Sequence, residues 1–340
     1  MQPGPRNLIT DVAGLAVGNA HDPRLASGVT VLLPEAPLMA AAVVFGGGPG
    51  TRETDAIGID STVDEVHAIV LSGGSAFGLD AATGVQSLMR ERGIGFRVGA
   101  SPRAPRVPVV PQAILFDLAN GGEKDWGLYP PYRDLGYAAA VRAKQSFDLG
   151  GTGAGYGASV AWKPSGERLR GGLGSASFSV DHATIGALAA VNAAGSVTVG
   201  AGPHFHAAPD EIGDEFGGLG LPSPLPPPST PVLKGLAGQN TTLAIVATDM
   251  ALTRAQCRRL AIMASAGLAR AIAPAFTPLD GDIIFAASTG RTPPPENIRD
   301  LAEVGAFAAR CLARAVARAV YLADGPLPDG TPCWRDAFVT

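Results

Sequence analysis

Short apolar runs, several of them next to glycine, divide the first 80 residues of the chain. Residues 28–33 (GVTVLL), 39–45 (MAAAVVF) and 66–71 (VHAIVL) have the length and composition of buried strands. The third run leads into a glycine-rich turn, and the small residues after it predict a helix from Leu79 to about Arg90. This part of the chain therefore predicts strands and a helix that are joined through tight turns.

The middle of the chain has a weaker pattern. Residues 158–162 follow the glycine-rich segment GTGAGYG and predict the start of a strand. Residues 171–179 and 197–202 fit strands or turns. Residues 183–192 are small and apolar, which fits a strand or a helix, so the type of this element stays open.

A proline-rich segment then interrupts the pattern. Residues 221–231 (LPSPLPPPSTP) contain six prolines, which exclude a regular helix or a central strand. We expect an exposed, extended tether that residues 232–239 complete and that ends at Asn240.

Regular structure is predicted again directly after Asn240. Residues 242–248 (TLAIVAT) form a strongly β-type run, and Thr253 with Gln256 makes a capping box for a helix to about Ile272. The remaining predictions are a turn and strand over 278–287, one long alanine-rich helix or two helices over 295–323, and a loop-like tail over 324–340.

Composition narrows the class of protein. The 340 residues allow one large domain or two smaller ones, and 46% hydrophobic against 16% charged residues suggests surface that is hidden between subunits. The net charge of −4 without a basic block does not favour nucleic acid. We therefore expect no nucleic-acid partner. No run is typical of a signal peptide or a membrane span, so we expect no membrane partner either.

The cysteines indicate the redox state of the compartment in which the protein works. Cys257, Cys311 and Cys333 are odd in number and have neither close pairing nor metal-site spacing. This argues against a disulfide framework and fits a reducing cytoplasm. We therefore expect a cytoplasmic location.

The Asn240–Thr241 junction is the first candidate for chemistry. A hydroxyl residue that opens a buried strand is held in a fixed place, while the tether before it is free to leave. The Thr241 hydroxyl could attack the Asn240 carbonyl, and cleavage would release an α-amine able to act as general base near neutral pH. The plain alternative is that Asn240 is an ordinary turn residue and Thr241 an ordinary strand residue. Thr242 competes for the role, and only one of the two threonines can face the site because strand neighbours face opposite sides.

Asp280-Gly281-Asp282, which opens the next predicted strand, is the second candidate. Its carboxylates could orient Thr241 and move protons, although an acidic turn or a partial calcium loop would have the same residues. The loops at 46–50 and 73–74 lack the phosphate-loop lysine, so close backbone packing or an oxyanion-binding turn is favoured there. We predict no metal site.

Several segments together resemble one family. They are FGGGPGTRETD (45–55), SGGSAFGL (72–79), Gly153-Ala154-Gly155, Asn192, Asn240-Thr241-Thr242 with Ala247-Thr248-Asp249, and Asp280-Gly281-Asp282, in this order. The set resembles the DmpA-type N-terminal-nucleophile family, which includes β-peptidyl aminopeptidases, L-aminopeptidase/D-esterases and nylon-oligomer endohydrolases.

The resemblance covers roughly residues 8 to 323 and implies an α/β fold, a four-layer α/β/β/α sandwich. It also implies self-cleavage into an α chain (1–240, with 221–240 as its flexible tether) and a β chain (241–340) that stay together as one structural domain. It further implies no cofactor and multimers of the cleaved pair.

Site residues carry over one at a time. By resemblance, Thr241 is nucleophile and base, Asp280 and Asp282 orient it and assist proton transfer, and the Asn192 amide donates to the oxyanion. The nylon-oligomer hydrolases have Asn-Thr-Thr at the cut and Asp-Gly-Asp downstream, and this chain follows that pattern rather than the serine pattern of the aminopeptidases.

Two positions depart from the family. Phe116 stands where the family often has tyrosine, so a polar contact in the substrate site is lost or is supplied by Tyr156. The family's lysine falls at Trp162 by ungapped count, and Lys163 is one residue later. Either a one-residue adjustment restores the lysine at Lys163, or the role is lost, because a one-residue slip reverses the face of a strand. We carry Lys163 as the candidate.

Four functions remain open. The first is an amidohydrolase for linear amides such as 6-aminohexanoate oligomers, and the second is an aminopeptidase for short or β-amino-acid peptides. The third is an acyltransferase of the ornithine-acetyltransferase type, and the last is a binding protein without activity. The substrate of the two hydrolases would be a small amide or peptide.

Overall fold

The computed structural model describes residues 2–99, 101, 103–180, 183–227, 230–235 and 240–339. In chain order they form β1 (Leu15–Asp22), β2 (Ser27–Pro34), β3 (Met39–Val44), β4 (Thr51–Arg52), β5 (Ile69–Ser72), α1 (Ala81–Glu91), β6 (Gln112–Ile114), α2 (Tyr132–Val141), β7 (Ser159–Ala161), β8 (Arg168–Arg170), β9 (Gly172–Val180), β10 (Ala183–Asn192), β11 (Thr241–Met250), α3 (Arg254–Ala271), β12 (Ile283–Thr292), α4 (Ile298–Tyr321) and α5 (Trp334–Phe338). Short 3-10 helices lie at Ile9–Asp11, Asp55–Ile57, Ser75–Asp80, Gly153–Gly155 and Ala208–Asp210.

Two five-stranded sheets form the centre of the molecule. The first has the order β1-β2-β5-β6-β4, and the second has the order β3-β12-β11-β10-β9. Apolar side chains from both sheets, such as Leu32 and Leu71 in the first and Leu188 and Ile245 in the second, form one core between them. The two sheets therefore pack face to face, as in other sandwiches.

Helices cover the outer face of each sheet. Val29 and Val31 of the first sheet share a core with α1 and α2. Ala244 and Val246 of the second sheet share another core with α3 and α4. The order of layers is helix, sheet, sheet, helix, so the expected four-layer α/β/β/α sandwich is confirmed.

Glycine and alanine let these layers approach closely. A Cβ on Gly174 of β9 would lie 1.9 Å from the Ala315 carbonyl oxygen of α4. A Cβ on Gly267 of α3 would lie 1.8 Å from the Ala309 carbonyl oxygen, also in α4. Both distances are impossible for a side chain, so glycine at these points sets the spacing of the fourth layer.

Several sequence predictions match the structure. The predicted capping box is present, since the Thr253 hydroxyl accepts from the Gln256 N–H at 3.3 Å and the Gln256 carboxamide oxygen accepts from the Thr253 N–H at 2.8 Å. The ambiguous segment 183–192 is a strand, because it pairs with β9 on one side and β11 on the other. Residues 298–321 form one helix rather than two.

Residues 197–202 form bends and turns, so the turn alternative holds there. The prediction of a loop-like tail needs correction, because the tail contains the short helix α5, which begins at Trp334. The tether is exposed along its described part, 221–227 and 230–235, except at two half-buried positions and the buried Lys234. Residues 228–229 and 236–239 of the predicted tether lie outside the described residues, and Asn240 at its end is buried. Among those described, no helix has both the length and the apolar character to cross a bilayer.

Candidate active site

Three strand ends of the second sheet meet at one edge. β11 and β12 run parallel and both begin there, and the antiparallel β10 ends there. The register places Asn192, the last residue of β10, opposite Thr241, the first residue of β11. On the other side, Asn240 pairs with Asp280 just before β12 begins. The sheet register therefore assembles the residues that the sequence singled out.

The Thr241 hydroxyl lies against the peptide bond before it. Its Oγ1 donates a hydrogen bond to the Asn240 carbonyl oxygen. The same oxygen accepts from the Gly281 N–H at 2.8 Å. The carbonyl oxygen thus accepts from two donors, the Thr241 hydroxyl and the Gly281 N–H, and a fixed backbone N–H of this kind can stabilise an oxyanion.

Thr241 rather than Thr242 faces the acidic turn. A Cβ built on Gly281 would lie 2.7 Å from the Thr241 Oγ1. Thr242 instead uses its backbone N–H, which donates to the Asp282 Oδ1 at 2.6 Å. The Thr242 hydroxyl is buried and has no hydrogen-bond partner among the described residues. This geometry favours Thr241 as the candidate nucleophile.

Asp280 is held by three donors. Its Oδ1 accepts from the Ala194 N–H at 2.9 Å, and its Oδ2 accepts from the Thr277 N–H at 3.3 Å and the Thr277 hydroxyl at 2.5 Å. These contacts fix a carboxylate that is almost fully buried. The neighbours Thr277 and Ala194 have no signal in the sequence that would mark them as part of a site.

Asp282 has an unusual ionisation. Its Oδ1 accepts from Thr242, and its Oδ2 accepts from the Phe276 N–H at 3.1 Å. Burial raises the pKa of Asp282 to about 7, and the nearby charge of Asp280 acts in the same direction. A carboxyl group with a pKa near neutrality can both accept and release a proton under ordinary conditions.

The glycine loop at residues 46–50 supports this turn. The Asp280 carbonyl accepts from the Gly48 N–H at 2.8 Å, and the Asp282 carbonyl accepts from the Gly46 N–H at 3.1 Å. A Cβ on Gly46 would lie 2.4 Å from the Asp280 oxygen. Close backbone packing, which was one of the two interpretations of this loop, is confirmed.

Asn192 is oriented by donors on its oxygen. The Oδ1 accepts from the Ser159 N–H at 3.0 Å and from the Lys234 ammonium at 2.9 Å. The Nδ2 then donates to the Phe116 carbonyl oxygen at 2.9 Å. The predicted oxyanion role of Asn192 therefore remains a prediction, since in the uncleaved chain its amide contacts Phe116.

Lys234 is the residue that the sequence analysis missed. Burial lowers its pKa to about 7, Arg168 acts in the same direction, and Asp280 and Asp329 act in the opposite one. One sequence signal could have found it, because Lys234 is the only charged residue between Leu221 and Asn240.

Two other candidates lie apart from this cluster. Lys163 pairs with Glu167 at 3.1 Å and lies over the Trp162 ring, with its side chain 33% exposed, so the structure does not place it in the site. The Tyr156 ring stacks on His21 with the ring centroids 4.3 Å apart. The Arg170 guanidinium also lies over this ring, 5.2 Å from its centroid, and no described contact of the Tyr156 ring is with Phe116.

A cavity of about 320 Å³ adjoins the cluster. Its lining includes Phe116, Asp117, Ser159, Arg168, Asn192 and Lys234. Arg168 pairs with Asp329 at 2.8 Å, and burial raises the pKa of Asp117. The cavity therefore combines an aromatic wall with amide, ammonium and carboxyl groups, a composition that suits a small polar ligand.

Comparison with known proteins assigns the family. The sequence model described as Peptidase family S58 matches residues 7–326. The chain belongs to peptidase family S58. Membership supports a hydrolase of peptide or amide bonds, and it confirms the resemblance that the ordered motifs indicated.

Curated relatives include two kinds of protein. An uncharacterized aminopeptidase of Mycobacterium tuberculosis is 40% identical over 98% of this chain and 98% of its own length. A 6-aminohexanoate-oligomer endohydrolase of a Kocuria species is 28% identical over 84% of this chain and 76% of its own length.

Solved structures agree with the sandwich. A β-aminopeptidase of a Burkholderia species has a TM-score of 0.70 at 20% identity, covering 99% of this chain and 92% of that one. An L-aminopeptidase D-Ala-esterase/amidase of Ochrobactrum anthropi, described as a variant of the Ntn hydrolase fold, also has a TM-score of 0.70 at 22% identity, covering 97% and 91%. These likenesses concern the fold.

Proposed function

We propose that this protein is a self-processing amidohydrolase that cleaves its own Asn240–Thr241 bond and then uses Thr241 to hydrolyse linear amides. The observation that carries the proposal is the Asn240 carbonyl, whose oxygen accepts from both the Thr241 hydroxyl and the Gly281 N–H. The substrate class is 6-aminohexanoate oligomers or similar amides, by analogy with the Kocuria relative and the shared Asn-Thr-Thr and Asp-Gly-Asp pattern.

Self-cleavage would begin at the junction itself. The Thr241 oxygen attacks the Asn240 carbonyl carbon, and the Gly281 N–H stabilises the resulting oxyanion. The C–N bond breaks as the Thr241 nitrogen takes up the hydroxyl proton, which leaves an ester between Asn240 and Thr241. Water hydrolyses this ester to give an Asn240 carboxylate and a free Thr241 α-amine.

Turnover would reuse the same hydroxyl. The α-amine of Thr241 accepts the proton of its own hydroxyl, whose oxygen attacks the substrate amide carbon. The leaving amine takes the proton, an acyl ester remains on Thr241, and water releases the acid. Asp280 and Asp282, buried at the same edge, are proposed to hold the ammonium that forms on Thr241 and to assist proton transfer.

An aminopeptidase is the second candidate, because the relative with 40% identity carries that name. The Asp117 carboxyl in the cavity could hold a substrate amine, whereas Lys234 in the same cavity would repel it. The two functions differ in their need for a free amine at the end of the substrate.

Capped and uncapped substrates separate these candidates. Wild-type protein and the Thr241→Val variant are incubated with 6-aminohexanoate trimer, free or N-acetylated, and the products are measured by mass spectrometry. We expect the wild type to cleave both trimers and Thr241→Val to cleave neither. Cleavage of the free trimer alone would favour the aminopeptidase, and cleavage of neither by processed wild-type protein would contradict the amide substrate class.

A further inference from the structure

Lys234 is a buried cation in an exposed segment. It is 7% exposed, whereas Leu233 before it is 44% exposed and Gly235 after it is also exposed. Burying a lysine is unfavourable unless its ammonium finds partners. At Lys234 the tether is therefore held against the rest of the protein.

The ammonium of Lys234 has partners from two strands. It donates to the carbonyl and, at 3.1 Å, to the hydroxyl of Ser159 in β7. It also donates to the Asn192 Oδ1 at 2.9 Å, next to the Ser159 N–H on the same oxygen. These contacts fasten the tether to the end of β10, opposite Thr241 in the sheet register.

The backbone of Lys234 reaches the scissile residue. Its N–H donates to the Ala194 carbonyl at 2.8 Å, and its own carbonyl accepts from the Asn240 Nδ2 at 3.0 Å. Ala194 in turn donates to Asp280. One residue therefore links the end of β10, the acidic turn and the residue whose carbonyl would be attacked.

We propose that Lys234 is the positioning residue of self-cleavage: it anchors the tether so that the Asn240 carbonyl stays between the Thr241 hydroxyl and the Gly281 N–H. This inference rests on the proposed function. A shift of about 1 Å in a reacting group can slow a reaction about 100-fold, so an anchor six residues upstream has a large effect on rate.

The same contact explains why asparagine stands at the junction. The Asn240 side chain is buried and uses an N–H donor toward the Lys234 carbonyl. Aspartate has the same shape, but its ionised carboxylate has no donor and would repel that carbonyl oxygen. Asn240→Asp should therefore loosen the link without changing side-chain size.

Removing Lys234 tests the anchor. The full-length chain is made by cell-free translation, synthesis is stopped, and the loss of the uncut chain is followed on denaturing gels. We expect Lys234→Ala to slow cleavage about 100-fold. The matched control is Lys163→Ala, which removes a lysine that pairs with exposed Glu167 and should leave the rate within about twofold.

A rescue experiment distinguishes positioning from general loss of structure. Lys234 lines the cavity, so the space left by Lys234→Ala can admit propylammonium. Propylammonium should restore part of the rate in a saturable way, whereas tetramethylammonium, which has no N–H donor, should not. Wild-type speed in Lys234→Ala, or a slow variant that neither propylammonium nor a Lys234→Arg substitution accelerates, would overturn the proposal.

Asn240 gives a second test if Lys234→Ala does not fold. Asn240→Asp and Asn240→Ala leave the lysine in place, and both should slow cleavage at least about tenfold because the link to the Lys234 carbonyl is lost. An unchanged rate in both would contradict the anchor. If the wild type itself stays uncut, the proposed function fails; if the wild type and Lys234→Ala are cut equally fast, only this inference fails.

Discussion

Asn240 and Thr241 are neighbours in the chain, but the structure holds them by different means. Every residue of β11 from Thr241 onward is buried, and the strand pairs with β10 on one side and β12 on the other. Before Asn240, the described tether residues are mostly exposed, and Lys234 is the one buried residue among them. The sheet register therefore places the hydroxyl, whereas a few side-chain contacts place the carbonyl.

This difference suits the proposed cleavage of the Asn240–Thr241 bond. A hydroxyl in a central strand would keep its position after that cleavage, because the ladder on both sides of β11 does not depend on the peptide bond to Asn240. A tether held by few contacts can release its end. The partners of Lys234 in Ser159, Asn192 and Ala194 all precede Asn240, so they would stay with the α chain.

Removing the Thr241 hydroxyl, which the sheet register places, should have the largest effect of the changes described below. Thr241→Val should slow self-cleavage and amide hydrolysis by at least about 10⁴-fold, since removing a nucleophile removes the covalent route. Intact mass of the chain after one day and product release from the trimer measure the two effects. Thr242→Val is the matched control: its hydroxyl has no partner among the described residues, so rates should stay within a few-fold.

A smaller effect is expected from crowding the same hydroxyl. A Cβ in Gly281→Ala would meet the Thr241 Oγ1 at 2.7 Å and the Gly48 carbonyl oxygen at 2.6 Å. We expect cleavage to slow about 100-fold, because either the hydroxyl or the turn has to move. The time course of the uncut chain measures it, with Gly202→Ala as control, since there the nearest atom is 3.6 Å away. Equal rates in both variants would show that Gly281 does not constrain Thr241.

The ionisation of Asp282 gives a change in stability with pH. Its pKa, ordinarily 3.8 for an aspartate in water, is raised to about 7 in the folded chain, so between these values the folded state binds more protons than the unfolded state. The contribution of Asp282 to the free energy of unfolding therefore falls as pH rises from about 4 to about 7. In the uncut Thr241→Val background, thermal unfolding is compared at several pH values with and without Asp282→Asn, and the chain that keeps Asp282 should lose a few degrees relative to the Asp282→Asn chain as pH rises over this range. The same slope in both chains would contradict the assignment.

Changes in the exposed part of the tether, well before Lys234, should have the smallest effect. Replacing residues 221–227 by a glycine–serine segment of the same length removes exposed side chains such as Leu225, which is 63% exposed. Cleavage should change less than about threefold, because loop entropy depends only weakly on such a segment. The cell-free time course checks this. A loss as large as that of Lys234→Ala would show that the whole tether, and not its anchor, positions the carbonyl.

The sequence predicts those elements whose formation depends on residues close together in the chain. The run 242–248 and the Thr253–Gln256 box predicted β11 and the start of α3 because both depend on local pattern. The junction and the Asp280–Asp282 turn were singled out from short motifs together with the resemblance of the ordered motifs to one family. Residues 183–192 could not be assigned locally, since their strand form depends on pairing with β9 and β11.

The roles of Lys234 and Lys163 could not be predicted locally. Lys163 was selected by its distance from a glycine turn, yet it pairs with Glu167 four residues away. Lys234 binds Ser159 and Asn192, which are 75 and 42 residues distant in sequence. No periodicity relates such positions, so only the fold shows which lysine reaches the site.

Self-cleavage before Thr241 is tested by the mass of the purified wild-type protein under denaturing conditions. We expect two polypeptides of 240 and 100 residues, the second beginning with Thr241, and a single uncut chain for Thr241→Val. A wild-type chain that remains at 340 residues after prolonged incubation, or a cut at another bond, would contradict it.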